Sequence, residues 1–189
     1  MRLEELKRTY PGAQVQLWAQ DEARLGLKPV MRRVWAPVGK RPVARFKRGY
    51  KWTYLYGFVC PQSGEVYWLI LPTVNVELFS MAVQEFAKEV GALARRSISY
   101  WSWTRLAGIQ GGRSSSPKGY TLSSCQGRLS RATACSERLW PLTNEAIANR
   151  LFEEIEEIEE ALVKRCVELL DQPRTIRELT NYHWWPQAA

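Results

Sequence analysis

The chain has 189 residues, with 27 Lys and Arg against 19 Asp and Glu and a formal charge of +8; it can form one medium domain with a real core, and its charge favours an anionic partner, nucleic acid first. No apolar run is long enough to span a bilayer, and the charged start Met1-Arg2-Leu3-Glu4-Glu5 lacks the apolar centre of a signal peptide. The four Cys (Cys60, Cys125, Cys135, Cys166) form no C-x-x-C pair, so neither a zinc site nor a disulfide framework is inferred and a reducing cytoplasm is the expected compartment.

Along the chain, residues 1–13 read as a short helix (Leu3, Leu6) stopped by Pro11-Gly12. Residues 14–20 read as a short apolar strand, with Val15 and Leu17 at period 2, ending on Asp21 and Glu22. A carboxylate at a strand end can be aimed into a cleft as a metal ligand, although Asp also commonly starts a turn. Residues 28–48 hold Pro29, Pro37, Gly39 and Pro42 and are expected to be extended loop, with Trp35 anchoring it by burial. Tyr50, Trp52, Tyr54 and Tyr56 alternate with other residues, Cys60 to Glu65 supplies a turn, and Val66 to Leu71 is the return strand of a hairpin. Its aromatic stripe is read as core packing, with base stacking as the functional alternative.

Residues 75–93 predict a helix with Asn75 as N-cap and Leu78, Met81, Ala82, Phe86 and Val90 on one face. Residues 143–171 are helical again, through Ile147, Leu151, Ile155, Ile158, Leu162, Cys166 and Leu169, as one helix or as two joined near Phe152. A tail with Tyr182, Trp184 and Trp185 is expected to dock on the body. His183, the only His, is read as a packing or surface residue.

Charge is distributed unevenly. No acid stands between Glu22 and Glu65, a window with ten bases: Arg24, Lys28, Arg32, Arg33, Lys40, Arg41, Arg45, Lys47, Arg48 and Lys51. Such a window can track phosphates. Glu153, Glu154, Glu156, Glu157, Glu159 and Glu160 reverse the sign near the end.

Residues 95–136 differ in kind. They hold ten Ser and no acid, and neither helical nor strand periodicity persists, which is the composition of a disordered insert. A slipped reading frame explains them too. Read one nucleotide earlier, Tyr100 to Ile109 permits L-V-L-D-(K/Q/E)-A-G-W-H, with the Asp forced by the codons of Trp103 and Thr104. At a different offset, Leu129 to Cys135 permits Y-P-E-L-Q-P-A, before Glu137-Arg138-Leu139-Trp140 resumes in frame.

Asp21-Glu22-Ala23-Arg24-Leu25-Gly26-Leu27, Val34-Trp35-Ala36-Pro37-Val38-Gly39-Lys40-Arg41-Pro42, the hairpin Gly57 to Glu65, Glu137-Arg138-Leu139-Trp140 and Tyr182-His183-Trp184-Trp185 together resemble the DDE transposases of bacterial insertion sequences, in the mariner-like branch. The resemblance covers roughly residues 1–93 and 137–185. It implies an α/β, ribonuclease-H-like fold: a mixed sheet flanked by helices, with an incomplete core here. It divides the chain into residues 1–93 and 137–189 of a catalytic domain, separated by an out-of-frame or disordered segment, 94–136.

The resemblance implies divalent-metal-dependent DNA strand cleavage and transfer at transposon ends, with two Mg²⁺ (or Mn²⁺) ions held by three carboxylates that clamp the attacking and leaving oxygens. By resemblance Asp21 is the first and Glu137 the third carboxylate. Glu22, on the opposite face of the strand, is left out. The second, the Asp of L-D-x-A-G-W-H, has no acid in its place, so the chain is expected to be inactive as translated. DNA is the implied partner, contacted by Arg24, Lys28, Arg32, Arg33, Lys40, Arg41, Arg45, Lys47 and Arg48. The resemblance leaves room for a homodimer and implies no membrane. The family's N-terminal helix-turn-helix is expected to be missing. The alternatives are a non-catalytic nucleic-acid-binding domain and a protein that binds partners through its acidic helix.

Overall fold

The computed structural model describes residues 8, 14–43, 45, 49–93, 97–103, 120–124 and 131–185; the helix expected over 1–13 lies outside them, apart from Arg8. Five strands make one sheet: β1 (Gln14–Gly26), β2 (Trp52–Cys60), β3 (Glu65–Leu71), β4 (Ser97–Trp103) and β5 (Tyr120–Ser124). The described helices are α1 (Val76–Leu93), α2 (Arg131–Glu137), α3 (Leu139–Asn144), α4 (Ile155–Leu170) and α5 (Pro173–Thr180). The strand order is β3-β2-β1-β4-β5. β1 pairs antiparallel with β2 and parallel with β4; β2 pairs antiparallel with β3, and β4 parallel with β5. This is the helix-flanked mixed sheet expected from the sequence.

β1 runs six residues beyond the expected Gln20. The carboxylates do not end it because β2 continues opposite them, pairing Asp21 with Gly57, Glu22 with Tyr56 and Gly26 with Trp52. A strand persists where a neighbour satisfies its backbone, whatever turn propensity its side chains carry. β4, β5 and α2 fall inside the stretch that showed no periodicity, a second correction to the expected layout.

Period-2 alternation divides the core between the two faces of the sheet. On one face, Trp18, Tyr56, Phe58 and Cys60 pack against Phe79, Val83, Phe86 and Val90 of α1. Phe86 is fully buried; it stacks on Phe58 at 4.8 Å and meets the edge of Trp18 at 4.8 Å. Asn75 caps α1 as expected, its Oδ1 accepting the Leu78 N–H at 2.7 Å.

On the other face, Leu17, Ala19 and Val59 pack with Cys135, Leu139, Leu169, Ile176 and Trp185. Leu25 and Leu55 pack with Ile147, Phe152, Ile158, Leu162 and Cys166. The helical reading of 143–171 resolves into two elements: α3 ends at Asn144, and α4 starts at Ile155 after a turn in which Asn149 has φ 56°. Leu151, placed in the apolar face by its spacing, lies in that joint and is exposed.

The tail docks as expected. Trp185 is buried, Tyr182 stacks on Trp184 at 4.9 Å, and His183 is exposed. The hairpin turn between β2 and β3 depends on Gly64, whose φ of 82° suits glycine. A Cβ there would also stand 1.9 Å from the Pro173 carbonyl oxygen at the start of α5.

Truncating the ring at the centre of the first core face has a predictable cost. Phe86→Ala is expected to destabilise the fold by about 3–5 kcal/mol, measured as a lower urea midpoint at unchanged m value.

Candidate carboxylate site and basic arm

Asp21 and Glu22 are neighbours on β1, so their side chains leave on opposite faces. Asp21 faces the C-terminal helices, where Trp140 Nε1–H donates to its Oδ2 at 3.1 Å. Glu22 faces the other way, with Gln20, whose Nε2–H donates to Glu22 Oε2 at 3.3 Å. The sequence reading that left Glu22 out of Asp21's face agrees with this geometry.

Three strands put one row of residues beside Asp21: it pairs with Gly57, which pairs with Trp68. On the opposite side, Gln20 pairs with Trp103, the last residue of β4. The chain therefore leaves β4 next to Asp21. The place where the slipped frame would spell Asp, across Trp103 and Thr104, is at this strand end, and no acid stands there. Glu137 ends α2, which packs over β1, and is exposed. Among the described residues, no three His, Cys, Asp or Glu gather as a metal site would require.

Burial acts strongly on Glu22. Desolvation first, then the Asp21 charge, pushes its carboxyl up to about 7, against the opposing Gln20 hydrogen bond. Gln20 is buried and its Oε1 has no donor among the described residues; with the amide turned over, a protonated Glu22 can supply one. Burial likewise pushes the Cys135 and Cys166 thiols up to about 12, so neither is a nucleophile at neutral pH.

The basic window is largely an irregular arm between β1 and β2, with a turn at Val38-Gly39. Trp35 does not anchor it: the ring is fully exposed, as are Val38 and Val43. The arm is held at its base instead. Asn149 Oδ1 accepts the Arg32 N–H and Asn149 Nδ2–H donates to the Arg32 carbonyl, both at 3.0 Å. Arg32 also donates to the Pro141 carbonyl at 3.0 Å and pairs with Glu145 at 3.4 Å.

These contacts sort the candidate DNA-contacting residues. Arg32 is committed to the protein's own α3 turn. Arg24 lies over the Trp52 ring at 5.1 Å. Lys28, Arg33, Lys40, Arg41 and Arg45 are exposed. Lys47 and Arg48 lie outside the described residues.

Sequence reasoning missed the roles of Trp140 and Gly57. The available signals were a Trp three residues after Glu137, hence on the same helical side, and a glycine inside an aromatic strand, which marks close approach by another group.

The Glu22 shift has a pH consequence. A carboxyl whose folded value lies above its unfolded one makes stability fall as pH rises between the two, here from 4.5 to about 7. Glu22→Gln is expected to remove that decline and to raise the melting temperature above pH 7, checked by thermal denaturation across that range.

No family model matches the sequence, and no curated protein does. Solved structures do match. The Mos1 mariner paired-end complex with Mn aligns at TM-score 0.54 and 14% identity, covering 95% of this chain and 58% of that one. The mariner Mos1 paired-end complex with Mg gives 0.54 and 16%, covering 95% and 57%. The pre-cleavage Mos1 transpososome gives 0.50 and 13%, covering 97% and 60%. The chain thus spans less than two thirds of the length of these neighbours, and the likeness is one of fold: an incomplete ribonuclease-H-like fold similar to that of the Mos1 mariner structures.

Proposed function

We propose that this chain is the catalytic domain of a DDE transposase of the bacterial insertion-sequence type, which binds DNA but no longer cuts it. The observation that carries the proposal is the convergence at Asp21, in the middle of β1. Asp21 lies between Gly57 on β2 and the end of β4, with α2, whose last residue is Glu137, packed over the strand. The acid due at the end of β4 is missing. Fold likeness to mariner paired-end complexes holding Mn or Mg supports this reading.

Residues 1–93 and 137–189 are on this view the two in-frame parts of the domain, and 94–136 is a segment translated out of frame. A two-ion site needs three carboxylates around it, and Asp21 and Glu137 alone do not supply them. The residues present therefore do not fit two Mg²⁺ or Mn²⁺ ions.

DNA binding survives that loss because it depends on different residues. Lys28, Arg33, Lys40, Arg41 and Arg45 lie exposed along one arm, with no acid within the window, and phosphate binding needs positive charge rather than a shaped pocket. The fully exposed Trp35 offers a face on which an unpaired base can stack.

Two measurements and one reading of the gene test the proposal. Duplex DNA should be retained at low salt. Neutralising Lys28, Arg33, Lys40, Arg41 and Arg45 together should flatten the log–log salt dependence by about 0.9 for each phosphate that is no longer neutralised. Mg²⁺-dependent nicking of transposon-end DNA should be absent; robust turnover refutes the proposed inactivity. The gene's nucleotides across codons 90–137, read in the neighbouring phase, should spell an aspartate followed by A-G-W-H.

A further inference from the structure

We infer that Trp140 is a positioning residue, and that Gly57 exists to seat it. Its indole N–H fixes the Asp21 carboxylate and ties the α2–α3 segment bearing Glu137 to the centre of the sheet. The inference rests on the reading of Asp21 and Glu137 as two members of one carboxylate site.

Four observations meet here. The Trp140 indole donates to Asp21 Oδ2 at 3.1 Å. Asp21, Gly57 and Trp68 form one row across three strands. A Cβ built on Gly57 would stand 3.0 Å from Trp140 Cη2, 2.9 Å from Trp68 Cζ3 and 3.3 Å from Leu139 Cδ1. The Trp68 and Trp140 rings lie 6.4 Å apart, tilted by 57°. The missing side chain of Gly57 is thus the space the indole crosses to reach the next strand's carboxylate. A glycine in the interior of a strand otherwise weakens it, so this position calls for a reason, and the ring supplies one.

The register along the helix adds the second half. Glu137 and Trp140 are three residues apart. Arg138 between them is helical (φ −70°, ψ −14°), so the turn continues from α2 into α3. Residues three apart share a helix side. A hydrogen bond at Trp140 therefore sets how far along β1, and at what rotation, the Glu137 turn sits. Buried Leu139 beside Val59 and Ala19 supplies attraction without direction; the indole N–H supplies the direction. Because its acceptor is a carboxylate, the bond belongs to the stronger class.

The full chain, labelled with ¹⁵N-tryptophan, tests this by NMR. Trp140→Phe identifies the indole resonance by its disappearance. Asp21→Asn should move that resonance upfield, because a neutral acceptor replaces a charged one. Gly57→Ala retains the indole but should move the same resonance, by pushing the ring off its seat. In uniformly ¹⁵N-labelled protein, amide exchange in the α2–α3 turn, read at Arg138 and Leu139, should quicken by about tenfold in Trp140→Phe.

An indole resonance unmoved by Asp21→Asn overturns the inference, and so does unchanged turn exchange in Trp140→Phe. Should Trp140→Phe fail to fold, the indole is assigned instead by its ring's through-space contact with Gly57, and Asp21→Asn and Gly57→Ala, which both keep the indole, still decide it. A simple packing role would leave the resonance indifferent to Asp21→Asn. Failure of DNA retention would count against the transposase reading and leave the indole measurement standing.

Discussion

A single β-strand can offer adjacent carboxylates to only one face each, and this constraint governs the molecule. Asp21 and Glu22 lie side by side in sequence but on opposite sides of β1, one toward the C-terminal helices and one toward the α1 side of the sheet. Any site at Asp21 must therefore draw its other acids from separate elements. The sheet order makes β4 the only described strand that ends beside Asp21 on the side away from β2, and α2 the described helix whose last residue is an acid over that strand. Glu22, turned to the other face by the pleat, sits beside buried Gln20, and its raised carboxyl shows what desolvation and a neighbouring carboxylate cost an acid.

The two C-terminal sequence motifs act as one clamp. Arg138, in the turn after Glu137, donates from Nε to the Tyr182 hydroxyl at 2.7 Å and lies over its ring at 5.6 Å. Tyr182 in turn stacks on Trp184, and Trp185 enters the core beside Leu139. The base of the arm is held by a network in which Glu145 receives both Arg165, at 2.6 Å, and Arg32. Exposed ion pairs stabilise a fold by little, typically under about 1 kcal/mol. Their use here is geometric: they fix where the arm leaves the body, while the buried rings hold the body together.

The hairpin, α1, the N-cap at Asn75 and the docked aromatic tail were all legible in the sequence, because periodicity and burial coincide there. Among the features that were not, three have a clear physical cause. β1 overran its predicted end because β2 pairs across Asp21 and Glu22, a long-range effect invisible in a local window. Trp35 was misread because a large apolar side chain is usually buried, and nothing in its own neighbourhood reveals that the arm projects. β4 was missed because Ser97-Ile98-Ser99-Tyr100-Trp101-Ser102-Trp103 breaks its alternation at Trp101, and serine-rich surroundings hide its aromatic strand formers. At the site, Asp21 was a candidate from its place on the strand and by resemblance, and Glu137 by resemblance alone, whereas Trp140 and Gly57 needed the register across strands to acquire a meaning.

β4 also shows how little strand pairing asks of its side chains. A ladder beside β1 is made of backbone N–H and C=O groups, which every residue but proline supplies. Replacing each side chain of a strand leaves those groups in place, and Tyr, Trp and Ile suit a pleated surface well. A metal ligand has no such tolerance, because only an oxygen-bearing side chain at one position will serve. A strand can therefore keep its place in a sheet through changes of side chain that no ligand position would tolerate. β4 meets the first demand, paired in register with β1, and ends on Trp103 rather than on an oxygen-bearing side chain.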